Sequence, residues 1–591
     1  MRKMNWLFTC LMTGALGASF GACSSDGVDS GHAGEGDVGQ LSLAITTVPS
    51  DVACVTVTVK GSRAVTHSFD VTSGASASYP LSRLPLGIAS VSAEAFSQSC
   101  KQLPASATPT YVTESALSVR VDPIQVNSIT LRLIRNARIN VGVDFENGPE
   151  TYLVPVASGV TTTALLTVGD SVNDKPDGTP YRMVGVPDGL GAFDNGDGTF
   201  TLLMNHEISS GGALRGHGSK GAFVSKWKIR KSDLTVQSGE DLIQDVAKFD
   251  PATNSYLAPA QGVSFSRFCS ADLAAPSAYY DAESSTGYAG RFFTNGEESG
   301  AEGKAWAHDL TGTSWELPRL GKASWENIVV NPGAGKSTVV AALDDTSPGQ
   351  VYVYVGTKTK TGNPVERAGL TNGTLFGVSI AGVATEDAAA GIPSGTAFTL
   401  ASLGNVEAST GAALDMASSA VGVTRFNRPE DGAWDPVHPN DFYFVTTASF
   451  TTASRLWRLR FNDLANAAAG GTIDMLLDGS EGQKMFDNIA VDKKGHVYLV
   501  EDVGNNAHIG KVWRYTIESD ELTQIAQHNP ALFTSGAPGF LTQDEEASGI
   551  IDASDVIAPG WLLLDVQAHY ATDSELVEGG QLLAIYDPAA L

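Results

Sequence analysis

Basic residues are scarce. Against 65 aspartates and glutamates the 591-residue chain sets only 38 lysines and arginines, a formal charge of −27. Phosphate backbones and anionic lipid faces are repelled at long range by such a chain, so nucleic acid is not an expected partner. Cation binding suits the balance, although acidic surfaces also serve solubility alone. Beyond the first few dozen residues no segment approaches 18 uninterrupted apolar residues, which leaves no second helical membrane anchor to expect. Sustained helical periodicity is nearly missing, which points to an all-β chain. The histidines His206, His217 and His308 show no His-x-x-x-His spacing and no Ser/His/Asp arrangement, so zinc-hydrolase and serine-hydrolase readings rest on residue types alone. Cysteine is rare too, at five.

What is present begins with an export signal. Arg2 and Lys3 supply a basic start, Trp6 to Leu16 an apolar stretch too short to span a bilayer, and small residues follow, which reads as a signal peptide over residues 1–22. Phe20-Gly21-Ala22-Cys23 resembles a bacterial lipobox, with Phe20 where Leu is usual. Cleavage there would leave Cys23 as the lipidated first residue; ordinary cleavage in the same region would release a soluble protein. Residues 23–39, rich in Ser, Asp and Gly, read as a flexible tether. The expectation is an exported monomer held to the cell envelope by its lipid alone, with Ser24 rather than Asp pointing to the outer membrane. Once Cys10 leaves with the signal and Cys23 carries lipid, Cys54, Cys100 and Cys269 remain. Cys54 and Cys100 share one short β-rich region and are natural disulfide partners in an oxidising compartment. Cys269 stands alone in the main body, either as a small buried apolar residue or as a metal ligand or nucleophile.

Two regions follow the tether. Residues 40–148 alternate with period two, as in Val55-Thr56-Val57-Thr58-Val59 and Ser118-Val119-Arg120-Val121, and read as a small β-sandwich serving as a spacer or adhesion module. Residues 149–591 repeat a turn rich in Gly, Asp or Asn followed by a short apolar strand, for example Thr199 to Leu203, Gln350 to Tyr354, Phe442 to Val445, Val497 to Val500 and Trp561 to Leu564. Many short strands favour a β-propeller, with an array of two-sheet sandwiches as the alternative. No WD or kelch signature sets the blade number. Several strands end in chelating groups, at Asn205-His206-Glu207, Asp344-Asp345, Glu501-Asp502 and Asp565. In a propeller such ends would converge on a central funnel, whereas an isolated Asp is ordinarily a solvated turn residue. Converging carboxylates repel by roughly 4 kcal/mol per pair at 4 Å and an effective dielectric near 20, so cations or protons must lie between them. Gly333-Ala334-Gly335-Lys336-Ser337 imitates the end of a P-loop, but the first required Gly falls at Val330 and a strand follows; it reads as a hairpin turn. Asp544-Glu545-Glu546-Ala547-Ser548-Gly549 with Asp552 lacks EF-hand spacing and reads as a solvated loop, with calcium binding as the alternative.

Four segments carry a resemblance. Arg267-Phe268-Cys269-Ser270 precedes Thr294-Asn295-Gly296-Glu297-Glu298; Trp325-Glu326-Asn327-Ile328-Val329-Val330 precedes Asp344-Asp345; then come Asn427-Arg428-Pro429-Glu430-Asp431 and Phe486-Asp487-Asn488-Ile489-Ala490-Val491-Asp492. With Val186-Pro187-Asp188-Gly189 and Met204-Asn205-His206-Glu207 before them, this order resembles the PhoX-type alkaline phosphatases over about residues 152–591. The resemblance implies a six-bladed propeller hydrolysing phosphate monoesters at a buried cluster of iron and calcium. It implies Cys269, Glu326, Glu430 and Asp487 as cluster ligands, Glu298 and Asp345 as further calcium or iron ligands, and Arg428 as the phosphate-clamping arginine. Ser270-Ala271-Asp272 stands where the family has Gly-Gly, and Gly290-Arg291-Phe292-Phe293 replaces its aromatic run. The residue chemistry agrees: calcium takes oxygen ligands, ferric iron takes carboxylate and thiolate, and a guanidinium fork grips phosphate. The alternatives are a calcium-dependent propeller acting on phytate, a phosphodiester or a lactone, and a surface-binding propeller without activity.

Overall fold

The computed structural model describes residues 6–9, 38–45, 52–72, 77–104, 107, 109–113, 117–122, 126, 130–135 and 151–591. Cys23 and its lipobox lie outside them, as do the signal peptide apart from Trp6–Thr9 and the tether apart from its last two residues. The chain divides into two compact units, Met1–Pro149 and Glu150–Leu591.

In the first unit, alternation along Cys54–Lys60 buries Val55, Val57 and Val59, while Thr56 and Thr58 turn outward to pair hydroxyls with Ser68 and Thr66. Leu41, Leu43, Leu81, Leu84, Val91 and Val121 complete the same core. The faces of the expected sandwich are joined into one nine-stranded sheet, which also pairs Trp6–Thr9 with Thr130–Arg135. Cys54 and Cys100 are disulfide-bonded, and Cys269 is the free cysteine among the described residues.

The second unit is a propeller whose blades are built on four antiparallel strands; Asp245–Ala247 and Leu153–Pro155 add a fifth, outer strand to blades two and five, and Thr396–Gly404 joins blades three and four into one ten-stranded sheet. From the axis outward, blade one is Pro187–Asp194, Thr199–His206, Phe223–Arg230 and Val236–Asp241. Blades two to six begin at the axis with Phe268–Asp272, Trp325–Val330, Pro429–Trp434, Phe486–Val491 and Glu545–Asp552. These six inner strands pack side by side, the last against the first. The ring closes because Thr161–Thr167, from the beginning of the unit, pairs with Glu578–Tyr586 as the outermost strand of blade six, which leaves that edge covered. Second strands such as Thr199–His206, Asp441–Thr446 and His496–Glu501 are buried along their whole length, since each is covered by a neighbouring blade on both faces. Phe293 with Val224, Val340 with Phe292, Phe444 with Ala341, and Val497 with Tyr443 are among the residues shared between adjacent blades. The far halves of all six inner strands line a cavity of about 540 Å³ on the axis.

Residues 331–336 are the turn between Trp325–Val330 and Ser337–Asp344, a hairpin and not a phosphate loop. The segment from Asp544 is not a solvated loop: Glu545–Asp552 is the inner strand of blade six, with its first six residues buried. Paired carboxylates, normally a sign of exposure, are here driven inward by the strand's place on the axis.

Candidate metal centre

Each inner strand opens with a chelating residue at one position. Pro187, Phe268, Trp325, Pro429, Phe486 and Glu545 pair with His206, Glu297, Asp344, Thr446, Glu501 and Ala568 of their second strands. The next residues along the inner strands are Asp188, Cys269, Glu326, Glu430, Asp487 and Glu546, all buried. They form a first ring. The residues after the second-strand partners are Glu207, Glu298, Asp345, Thr447, Asp502 and His569, which form a second ring.

A break in register lets the inner strands deliver these groups. All six shift register at or just after the ring residue, at Asp188/Leu190, Phe268/Ala271, Trp325/Asn327, Pro429/Gly432, Phe486/Ile489 and Ala547/Ile550. A bulge re-aims side chains, so two consecutive residues can face the axis where regular pleating permits one. The residues after the ring accordingly form a collar. Asn327 Nδ2 donates to Asp431 Oδ1 at 2.6 Å and Ser270 Oγ at 3.2 Å, and Asn488 Nδ2 donates to Ser270 Oγ at 2.9 Å and Asp188 Oδ1 at 3.2 Å. Two residues before the ring, Val186, Arg267, Arg428 and Met485 share positive φ, at 52°, 49°, 58° and 45°. For a β-branched residue such as Val186 that conformation is an outlier, held by the fold around it.

The ring groups come close enough to share ions. Ligand atoms of Asp188, Glu207 and Cys269 lie within 4.8 Å of one another, as do those of Cys269, Glu298 and Glu326, and those of Glu326, Glu430 and Asp487. Cys269 Sγ donates to Asp188 Oδ2 at 3.3 Å. Gln567 Nε2 reaches Asp188 Oδ2, Glu207 Oε2 and Glu546 Oε1 at 3.3, 3.1 and 3.0 Å. Three cationic side chains sit among these acids. Arg428 holds Asp345 through Nε and Nη2 at 3.0 and 2.8 Å and reaches Glu430 Oε1 at 2.6 Å. Arg267 pairs with Glu298 and with Glu207 Oε1, the latter at 2.6 Å. His569 bonds Glu578 at 2.6 Å and Glu546 at 3.4 Å; burial opposes its charge, but those two carboxylates push its pKa up to about 11.

The acids are not balanced by these partners. Burial, then the charge of neighbouring carboxylates, pushes Asp188, Glu326, Glu430 and Asp487 well above the usual carboxylate range. Burial raises Glu207 and the Cys269 thiol likewise, and brings Asp502 to about 7. Glu326 has no exposed surface and neither of its oxygens has a hydrogen-bond partner. Asp565 is equally buried, and burial pushes its carboxyl well above the usual range too. An ionised carboxylate so placed costs several kcal/mol unless a cation joins it. Hard carboxylate oxygens with one thiolate match calcium and iron, so the residues present fit both ions.

Of the residues singled out in the sequence, Cys269, Glu326, Glu430 and Asp487 stand in the first ring, and Glu298 and Asp345 in the second, with Arg428 beside Glu430. Asp188, Glu546 and Arg267 join the centre beyond the residues that the resemblance implies, as does Glu207, one of the strand-end groups expected to converge in a propeller. Asp188, Glu207 and Arg267 lie inside the segments that carry the resemblance, and the recurrence of an acid at the end of an apolar second strand is the signal for Glu207. His206, His217 and His308 are buried away from the rings' ligand groups; His206 bonds Ser225 Oγ at 2.9 Å, and burial lowers its pKa to about 3.

The family model described as alkaline phosphatase PhoX matches residues 307–548, a stretch holding Glu326, Asp345, Arg428, Glu430, Asp487 and Glu546. The resemblance read from the sequence segments is thereby borne out. Pseudomonas fluorescens PhoX, solved in complex with vanadate, a transition state analogue, aligns at 14% identity over 74% of this chain and 98% of that chain, with a TM-score of 0.54; the two share a fold. A Trypanosoma rangeli sialidase aligns at 10% identity over 74% of this chain and 60% of its own, with a TM-score of 0.33. A Bacteroides thetaiotaomicron protein of unknown function aligns at 9% over 92% and 95%, with a TM-score of 0.32; neither likeness is strong enough to argue from. No curated protein matches.

Proposed function

We propose that this chain, whose main unit carries the PhoX alkaline phosphatase match, is an exported metal-dependent phosphatase that hydrolyses phosphate monoesters. The observation that carries the reading is Glu326: a wholly buried carboxylate with both oxygens unpartnered, at the junction of two ligand trios. Asp188, Glu207, Cys269, Glu298, Glu326, Glu430 and Asp487 would hold calcium and iron, with Asp345 close by on Arg428. Bound there, the ions would supply Lewis-acid stabilisation of phosphoryl charge.

The chain's own residues would do the rest. Asp345 fixes the Arg428 guanidinium through two parallel hydrogen bonds, which sets the plane of the fork before substrate arrives; such preorganisation is what makes a charge clamp effective. His569 holds Glu546 ionised, since its hydrogen bond and charge outweigh the burial that works against that carboxylate. The collar of Asn327, Asn488, Ser270 and Asp431 braces the inner strands from below, limiting drift of the first ring.

The test is elemental analysis of the mature protein together with hydrolysis of p-nitrophenyl phosphate at alkaline pH. Iron and calcium with turnover support the reading; calcium without turnover moves it to another esterase or a binding propeller. The lipid anchor and envelope location rest on the N-terminal sequence. Labelling with radioactive fatty acid should be abolished by Cys23→Ser, and persistent labelling of that variant would remove Cys23 as the attachment point.

A further inference from the structure

Arg267 and Arg428 occupy equivalent places in blades two and four. Each lies two residues before a first-ring group, Cys269 and Glu430, with φ of 49° and 58°. Each uses Nε and Nη2 on carboxylates. Arg267 Nε meets Glu298 Oε2 at 3.1 Å, with Nη2 on Glu298 and Glu207; Arg428 Nε meets Asp345 Oδ1 at 3.0 Å, with Nη2 on Asp345 and Glu430. Nη1 of neither arginine makes a hydrogen bond or ion pair among the described residues, and the two side chains remain 44% and 29% exposed. The trios flanking them share Glu326, so both forks border one patch of acids. In the blade between them the equivalent position is Ser324, small and buried, and no long side chain stands there.

We propose that Arg267 is a second phosphate-binding arginine, acting with Arg428 so that each offers its open Nη1 to a non-bridging oxygen of a dianionic monoester. This rests on the phosphatase reading and goes further, to substrate class. A monoester presents two charges and three non-bridging oxygens, enough for two guanidinium groups and the metal centre together. A diester presents one charge and two such oxygens, and its second ester group would meet one of the arginines. Selection then works by leaving a charged donor unsatisfied as well as by attraction.

The experiment compares wild type, Arg267→Lys and Arg267→Gln as metal-loaded proteins. Calorimetric titration with inorganic phosphate is read beside metal content, and kcat/KM for p-nitrophenyl phosphate is divided by that for bis(p-nitrophenyl) phosphate. Arg267→Gln should weaken phosphate binding about tenfold, the loss of one charge-assisted contact, and lower the monoester preference by a similar factor with metal content unchanged. Arg267→Lys, which keeps charge but loses the fork, should recover the affinity only in part. Phosphate affinity within twofold of wild type in Arg267→Gln would overturn the proposal. So would loss of metal in Arg267→Gln with full recovery in Arg267→Lys, which would make Arg267 a counter-charge for Glu298 and Glu207. If wild type neither binds phosphate nor cleaves either ester, the phosphatase reading itself fails; if wild type does both and the variants match it, only the second arginine fails.

Discussion

Glu326 cannot be ionised in the bare protein without cost, because it is wholly buried and no protein donor reaches either oxygen. Burial and then the neighbouring Glu430 raise its pKa well above 4.5. As pH rises through the ordinary carboxylate range the unfolded chain releases this proton first, while the folded chain retains it. The bare fold therefore loses stability with rising pH until the raised value is passed. Glu326→Gln should accordingly raise the melting temperature in chelator, by a gain of about 1–3 kcal/mol that grows from pH 5 to pH 8, and should abolish turnover after metals are returned. Parallel melting curves for the two proteins across that pH range would show that Glu326 is not held neutral. Glu430→Ala should remove activity with little loss of fold, since its carboxylate serves the centre and Arg428 alone; retained turnover would take Glu430 out of the site.

Bulged inner strands and one borrowed strand are the elements that make this centre. A regular strand would send every second side chain toward the neighbouring blade; the register shifts give ring and collar residues the same direction. Thr161–Thr167 is far from its partner in sequence, yet without it Glu578–Tyr586 would present an unpaired edge. A chain starting at Gly169 should aggregate or melt far below one starting at Glu150, as light scattering during a thermal ramp would report. Equal behaviour would mean that the ring closes without its outermost strand. Leu165 and Leu166 are buried in this strand, so truncating Leu166 to Ala should cost about 2–5 kcal/mol.

The two units have separate cores, which predicts separate responses. Reducing the Cys54–Cys100 bond, 46 residues apart in sequence, should destabilise the first unit by about 4 kcal/mol on the loop-entropy account. Phosphatase activity should survive, because the only free cysteine among the described residues of the second unit is Cys269, already a thiol. A chain beginning at Glu150 should likewise keep the turnover of the full protein within about twofold. Loss of activity on either treatment would show that the first unit supports the second, and activity assays beside circular dichroism separate the cases. No helix among the described residues is long and apolar enough to cross a membrane.

Strand class and strand position were legible because they are local. Period-two alternation at Val55, Val57 and Val59, and apolar runs after Gly and Asp turns, depend on neighbours a few residues away, and the structure places strands where those patterns lie. The order of the short segments around Cys269, Glu326, Glu430 and Asp487 also survives in one dimension. Convergence does not. Gln567 meets Asp188 across 379 residues, Thr161–Thr167 finds its partner beyond residue 577, and Glu546 turns inward only because its strand is the sixth around an axis. Each of those facts depends on blade number, register and closure, which are settled by packing one blade against the next. The chain alone therefore determined what the strands are and which of them carry acids, while tertiary structure decided which acids lie close enough to share an ion, because only closure of the ring brings the six strand beginnings to one point.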